Sequence, residues 1–138
     1  MYSDNRISEI RNLKKKVDAG AEILLSQLFF DNKSFYNFVE ASRIGGIDVP
    51  ITPGIMPCLS AKSIKRMVST CGATLPDNFK KIIDRYEDNP DALFDAGMYY
   101  AIAQIIDLLT NDVDGIHLYT MNNPVIAKRI CDGIRNII

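Results

Sequence analysis

The chain has 138 residues, 47% of them hydrophobic and 24% charged, enough for one domain with a real core but short of the roughly 250 that a closed (β/α)8 barrel usually takes. With 16 Lys and Arg against 17 Asp and Glu, it offers no basic footprint for a nucleic acid or an anionic membrane surface. The three cysteines, Cys58, Cys71 and Cys131, are spaced for neither a metal knuckle nor a CxxC redox pair and read as reduced thiols.

The N-terminal stretch "MYSDNRISEI" has no apolar segment of signal-peptide type, and no 18 apolar residues run together. A cytoplasmic protein is expected, organised as a single domain over 1–138, since no repeat, linker or low-complexity segment divides it. Ile7, Ile10, Leu13 and Val17 recur at helical spacing and predict a first helix from Ser3 to Ala19, closed by Gly20. "AEILLSQLFF" then reads as a strand buried on both faces, because apolar residues occupy both parities of the alternation. Gln27 inside that run needs a partner, since a buried, unpaired amide costs roughly 1–3 kcal/mol.

Asp31 or Asn32 caps a second helix bearing Phe35, Phe38 and Val39, which the pair Gly45-Gly46 ends. "VPITPGI" predicts a short strand broken at Pro53-Gly54. Ser60 caps a helix carrying Ile64, Met67, Val68 and Cys71, and after Pro76 the stretch "DNFKKIIDRY" repeats the pattern with Phe79, Ile82, Ile83 and Tyr86. Asn89-Pro90 opens a long helix, a cap followed by proline at the first helical position. "GIHLYTM" predicts a third strand, and Asn123-Pro124 opens a last helix with Val125, Ile126, Ile130 and Ile134. The order α-β-α-β-α-α-α-β-α implies an α/β fold with right-handed crossovers and about three parallel strands. Three strands make either a small open sheet or one arc of a (β/α)8 TIM barrel.

In such folds ligands sit at the carboxyl ends of the strands. Those ends carry "QLFFDN", "TPGIMP" and "YTMNN". The segment "GIMP" can be a plain turn or a wall beside a flat ligand. His117, the only histidine, shares a strand face with Tyr119 and reads first as a hydrogen-bonded core or rim residue; with one histidine and these cysteines, neither a Ser-His-Asp set nor a metal site can be assembled. On the first helix Glu9, Asn12, Lys15 and Lys16 cluster opposite the apolar stripe. That face is either a solvated surface or a set of groups for a ribose and a diphosphate.

The ordered set "LKKKVDAGAEILLSQLFFDN", "GIDVPITPGIMP" and "GIHLYTMN" resembles methylenetetrahydrofolate reductase, in register from about Ser3 to the end of the chain. The resemblance implies the C-terminal half of a (β/α)8 barrel that holds FAD at its strand ends. It also implies the family's reaction, in which NAD(P)H reduces the flavin and the flavin reduces 5,10-methylenetetrahydrofolate to 5-methyltetrahydrofolate, the two reactants using one flavin face in turn. By the same resemblance Gln27 matches the glutamine that binds the folate pterin, and Glu9, Asn12, Lys15 and Lys16 match positions on the FAD ribose and diphosphate. Three positions depart from the pattern of bacterial relatives: Ser63 stands for a glutamine, Met67 for a phenylalanine and Asn123 for an arginine near the folate tail.

The family's general-acid glutamate and the aspartate that tunes the flavin belong to the upstream half of the barrel. No residue of 1–138 matches them, so this chain alone is expected to be inactive and to depend on an N-terminal half supplied elsewhere. The alternative expectation is a non-catalytic remnant that acts as an interaction or dimerisation module, its open sheet edges prone to pairing.

Overall fold

The computed structural model describes residues 4–138, with side chains from residue 7 onward. Six helices alternate with three strands: α1 Asp4–Asp18, β1 Leu24–Leu28, α2 Asn32–Ile44, β2 Ile51–Ile55, α3 Ala61–Cys71, α4 Asp77–Tyr86, α5 Pro90–Thr110, β3 His117–Leu118 and α6 Pro124–Ile134. This is the predicted order. Ser3, the first residue of the predicted α1, lies outside the described residues. The sheet has the order β1-β2-β3 with both pairs parallel, as in an arc of a (β/α)8 barrel.

Three expectations about the strands are corrected. β2 is not broken at Pro53-Gly54 but runs through both residues. It does so because β1 adapts. Between the paired positions Leu25↔Thr52 and Leu28↔Gly54, β1 spends two residues, Ser26 and Gln27, where β2 spends one, Pro53. Proline brings no N–H to a ladder and is tolerated inside a sheet at such a bulge. The Gly54 N–H donates instead to Ser26 Oγ at 2.9 Å, and Ser26 Oγ donates to the Gln27 carbonyl at 2.9 Å.

β1 is also not buried on both faces. Leu24 is half-buried and Leu28 buried, whereas Leu25 is 54% exposed and Gln27 is exposed too. The buried-amide penalty expected for Gln27 therefore does not arise within this chain. β1 is an edge strand, and nothing among the described residues covers its outer side. The third strand is shorter than predicted, since after Leu118 the chain leaves the ladder with one last bond, from the Tyr119 N–H to the Ile55 carbonyl at 2.9 Å.

The core has two parts. Phe35, Ile51, Ile55, Met98, Ala101, Ile105, Leu108, Ile130 and Ile134 fill the space between the sheet and α2, α5 and α6. Leu28, Phe30, Met56, Cys58, Ile64, Met67 and Phe79 form a second cluster towards the strand ends, under α3 and α4. α1 leans on the end of α2, where a Cβ on Gly45 would stand 2.6 Å from Ile10 Cγ2, so only glycine permits the approach.

By length and composition α5 is long and apolar enough to cross a membrane. In the fold its Leu93, Met98, Ile105 and Leu108 are fully covered, and polar groups tie it to the β1–α2 connection. Gln104 Nε2 donates to the Phe29 carbonyl at 3.2 Å and to Asn32 Oδ1 at 3.1 Å, while Asn32 Nδ2 donates to the Gln104 carbonyl and to Asp107. Of the two candidate caps it is thus Asp31 that caps α2, accepting the Lys33 N–H at 3.1 Å, and Asn32 is left free to bind α5. Tyr36 Oη donates to Asp107 Oδ2 at 2.7 Å. Burial first, then this carboxylate, pushes the Tyr36 hydroxyl up to about 12, so it stays a donor at any ordinary pH.

The hydrogen bonds from Asn32 and then Tyr36 hold the Asp107 carboxyl below its ordinary value of 3.8. A folded-state pKa below the unfolded one stabilises the fold above about pH 4, and that contribution fades as pH falls through the folded pKa. Because the carboxylate is exposed, Asp107→Asn should cost less than about 1 kcal/mol at neutral pH, and urea titrations should show the gap to the unaltered chain closing below about pH 4. Gly54→Ala should cost more. Its Cβ would meet Tyr119 Cε2 at 2.7 Å and the Ser26 carbonyl at 2.8 Å, and crowding of this kind typically costs 1–3 kcal/mol, readable as a lower urea midpoint.

Candidate functional site

Two clefts adjoin the sheet, one along β1 and one beyond the carboxyl ends of β2 and β3. The first, of about 360 Å³, is lined by Glu9, Leu13 and Lys16 of α1, by Leu24 to Gln27 and Phe29 along β1, and by Ser34, Phe35 and Phe38 of α2 with Ile51. Its floor is apolar and its rim carries a carboxylate, an ammonium and an amide. Burial alternates along β1 through the bulge, with Leu24, Ser26 and Leu28 on the covered side and Leu25 and Gln27 on the exposed side, so the strand's own alternation turns Gln27 outward.

Of the residues proposed from the sequence, Glu9, Lys16 and Gln27 thus share one cleft. Asn12 is exposed on the same helix, and Lys15 stands apart, beside a depression between α1 and α2 lined by Ile7, Ile10, Lys14 and Ile44. Among the described residues Glu9, Lys15 and Lys16 make no ion pair; the one salt bridge on α1 joins Lys14 to Asp18 at 2.8 Å.

The second cleft, of about 340 Å³, lies between α3 and the β3–α6 turn. Met56, Pro57, Leu59, Met67, Met121 and Ile126 give it an apolar lining, and Lys62 and Arg66 bring two cations. The three positions that depart from the family pattern all line it, and two of them are occupied with local structure. Ser63 Oγ lies 2.6 Å from Ser60 Oγ at the start of α3, and Asn123 Oδ1 caps α6 by accepting the Val125 N–H at 3.0 Å. Met67 is buried. The turn itself places Met121 and Asn122 in the left-handed region, at φ 53° and 62°, which for a non-glycine residue costs roughly 1–2 kcal/mol.

Tyr119 belongs to the neighbourhood of both clefts. Its ring lies over Gly54, and its hydroxyl donates to the Ser26 carbonyl at 3.3 Å, so one side chain reaches from the end of β3 across β2 to β1. His117 meets that ring edge-on, with centroids 4.5 Å apart. Burial pushes the Cys58 thiol up to about 12, which makes it an inert core thiol rather than a nucleophile. Burial likewise raises the Tyr100 hydroxyl to about 12, with Asp31 adding to the effect; it donates to the Phe30 carbonyl at 2.6 Å and fixes the β1–α2 connection.

Sequence reasoning passed over Ser26, the span of Tyr119, and the pair Lys62 and Arg66. The first had a signal: a proline inside a strand, followed by glycine, leaves an N–H in need of a new acceptor on the neighbouring strand. The other two depend on which elements the fold brings together.

A family model for methylenetetrahydrofolate reductase matches residues 2–135. The chain is 37% identical over 115 residues to methylenetetrahydrofolate reductase (NADH) 1 of Arabidopsis thaliana, a match that covers 83% of this chain and 19% of that one. It is 32% identical over 132 residues to methylenetetrahydrofolate reductase 1 of Schizosaccharomyces pombe, covering 95% and 22% of the two chains. It is also 32% identical over 130 residues to 5,10-methylenetetrahydrofolate reductase of Escherichia coli, covering 93% of this chain and 44% of that one. The chain therefore spans less than half the length of these relatives. With the family model matching nearly its whole length, and with a parallel β-α arc as its fold, the chain belongs to the methylenetetrahydrofolate reductase family.

Proposed function

We propose that this chain supplies part of a flavin- and folate-binding site for the reduction of 5,10-methylenetetrahydrofolate to 5-methyltetrahydrofolate with NAD(P)H, in a cytoplasmic setting. The observation that carries the reading is the first cleft, where Glu9, Lys16 and Gln27 meet over an apolar floor. The donor set of the cleft suits part of FAD. Lys16 offers a cation for a diphosphate and Glu9 an acceptor for ribose hydroxyls, with the exposed Asn12 amide on the same helix; no described carboxylate neutralises Lys16, and Lys15, beside the other depression, would reach the cofactor only from outside the cleft. When bound, the flavin would relay hydride from the nicotinamide to the folate.

The chain's own residues bind and orient. Gln27, exposed at the bulge, holds both an amide donor and an acceptor towards the cleft, the pairing that a pterin edge requires. The ring of Tyr119, fixed over Gly54, keeps the ends of β1 and β3 at a set separation. None of the residues assigned here is a general acid, so opening of the folate's five-membered ring would lack the 10²–10⁴-fold that acid catalysis typically contributes. Turnover then rests on barrel strands from outside residues 1–138.

The same strands would cover Ile23 and Leu25, which stand 57% and 54% exposed along the outer side of β1. Without them the open edge favours self-association, the observation behind a second reading as an interaction module. Light scattering of the isolated chain at micromolar concentration should show dimers or larger species, and a monodisperse monomer would count against an uncovered edge.

Co-expression with the N-terminal half of a related reductase tests the main reading. A yellow complex that reduces menadione with NAD(P)H is expected, and a paired but colourless complex would sink it. In that complex Lys16→Ala should weaken flavin retention by about tenfold, the scale of one charge-assisted hydrogen bond. Gln27→Ala should spare the menadione reaction and slow folate reduction by about tenfold or more.

A further inference from the structure

Apart from these two clefts, a smaller one of about 230 Å³ opens between the β1–α2 connection, the start of α4 and the middle of α5. None of its lining residues lines either of the other two. Its polar walls are Asp31, Asn32, Asn78, Tyr100 and Gln104, and no Lys or Arg lines it. Each side-chain donor group on those walls is already engaged. Gln104 Nε2 donates to the Phe29 carbonyl and to Asn32 Oδ1, and Asn32 Nδ2 donates to the Gln104 carbonyl and to Asp107. Tyr100 Oη donates to the Phe30 carbonyl, and Asn78 donates to the Tyr100 oxygen.

Acceptors, in contrast, are in surplus. Gln104 is only 6% exposed, yet its buried Oε1 receives no hydrogen bond from any described residue. Turning the amide over gives no relief, because the oxygen would then face the Phe29 carbonyl and Asn32 Oδ1, both acceptors. Asp31 carries the only charge among the lining residues. Its oxygens accept the Lys33 N–H and the Ser34 hydroxyl, and no described cation pairs with it. A buried, unpaired acceptor beside an unneutralised carboxylate calls for a ligand that brings N–H donors and positive charge together. Phe30, Pro76 and Ala103 supply apolar wall for a short carbon stem. We infer that this cleft binds a small primary alkylammonium ion, its ammonium group donating to Asp31 and to Gln104 Oε1 and its stem lying along Pro76 and Ala103. The occupant bridges the β1–α2 connection to α4 and α5, at a distance from the residues assigned to flavin and folate.

Two-dimensional 15N NMR of the full chain, read at the side-chain amides of Gln104 and Asn32, tests this without flavin, folate or a completed barrel. Butylammonium chloride should move both signals saturably, with a midpoint on the order of millimolar, the scale for so small a ligand. Tetramethylammonium chloride carries the charge without an N–H, and 1-butanol carries the stem without the charge; neither should move the signals. Asp31→Asn keeps a side chain able to cap α2 and should raise the midpoint about tenfold, the scale of one charge-assisted hydrogen bond. No saturable movement, equal movement with tetramethylammonium or butanol, or an unchanged midpoint in Asp31→Asn would overturn the assignment.

Discussion

The hydrogen bond from the Gly54 N–H to Ser26 Oγ is the constraint on which the rest of the site depends. A proline in the central strand would ordinarily end the ladder, because it withdraws a donor that the neighbouring strand expects. Here β1 answers with one extra residue and a hydroxyl. The pairing is thereby carried past Pro53 to Gly54 while the alternation of β1 is kept, with Leu28 in the core and Gln27 lining the cleft beside α1. Gly54 serves the same arrangement from the other side, since only a residue without Cβ leaves room for the Tyr119 ring that braces the three strand ends.

The second requirement is that the β1–α2 connection stay where the bulge puts it. α5 provides that, through Gln104 and Tyr100, which bind the Phe29 and Phe30 carbonyls, and through Asp107, which collects Asn32 and Tyr36. These are polar contacts made by a helix whose composition alone would pass for a membrane span. They matter because a connection over a surface is otherwise the most mobile part of an α/β unit. Phe79, stacked on Tyr100 at 4.3 Å and tilted against Phe30, closes the same corner from α4.

Charge completes the division of labour between the two clefts. The first mixes one carboxylate, one ammonium and an amide, a set suited to sugar hydroxyls and phosphate, while the second holds two cations without an acid. With so little net charge on the whole chain, neither field arises from a general excess; each is local to one helix face.

The sequence by itself determined the element order, most of the caps, the parallel α/β class and the family. Helical spacing in α1, α3 and α6, the Asn-Pro starts of α5 and α6 and the Gly45-Gly46 stop are local signals, carried by residues adjacent in the chain. The polar positions of α1 and Gln27 could be named from motifs, but not how they group. Only the tertiary structure decided that Glu9, Lys16 and Gln27 share a cleft while Lys15 faces another depression, that β2 passes through Pro53, and that β1 is open on one side. Each of those facts depends on which strand lies beside which, in what register, and with what covering it. Apolar residues on both parities of β1 record what the strand is built to bury, whereas its exposure records what is there to bury it.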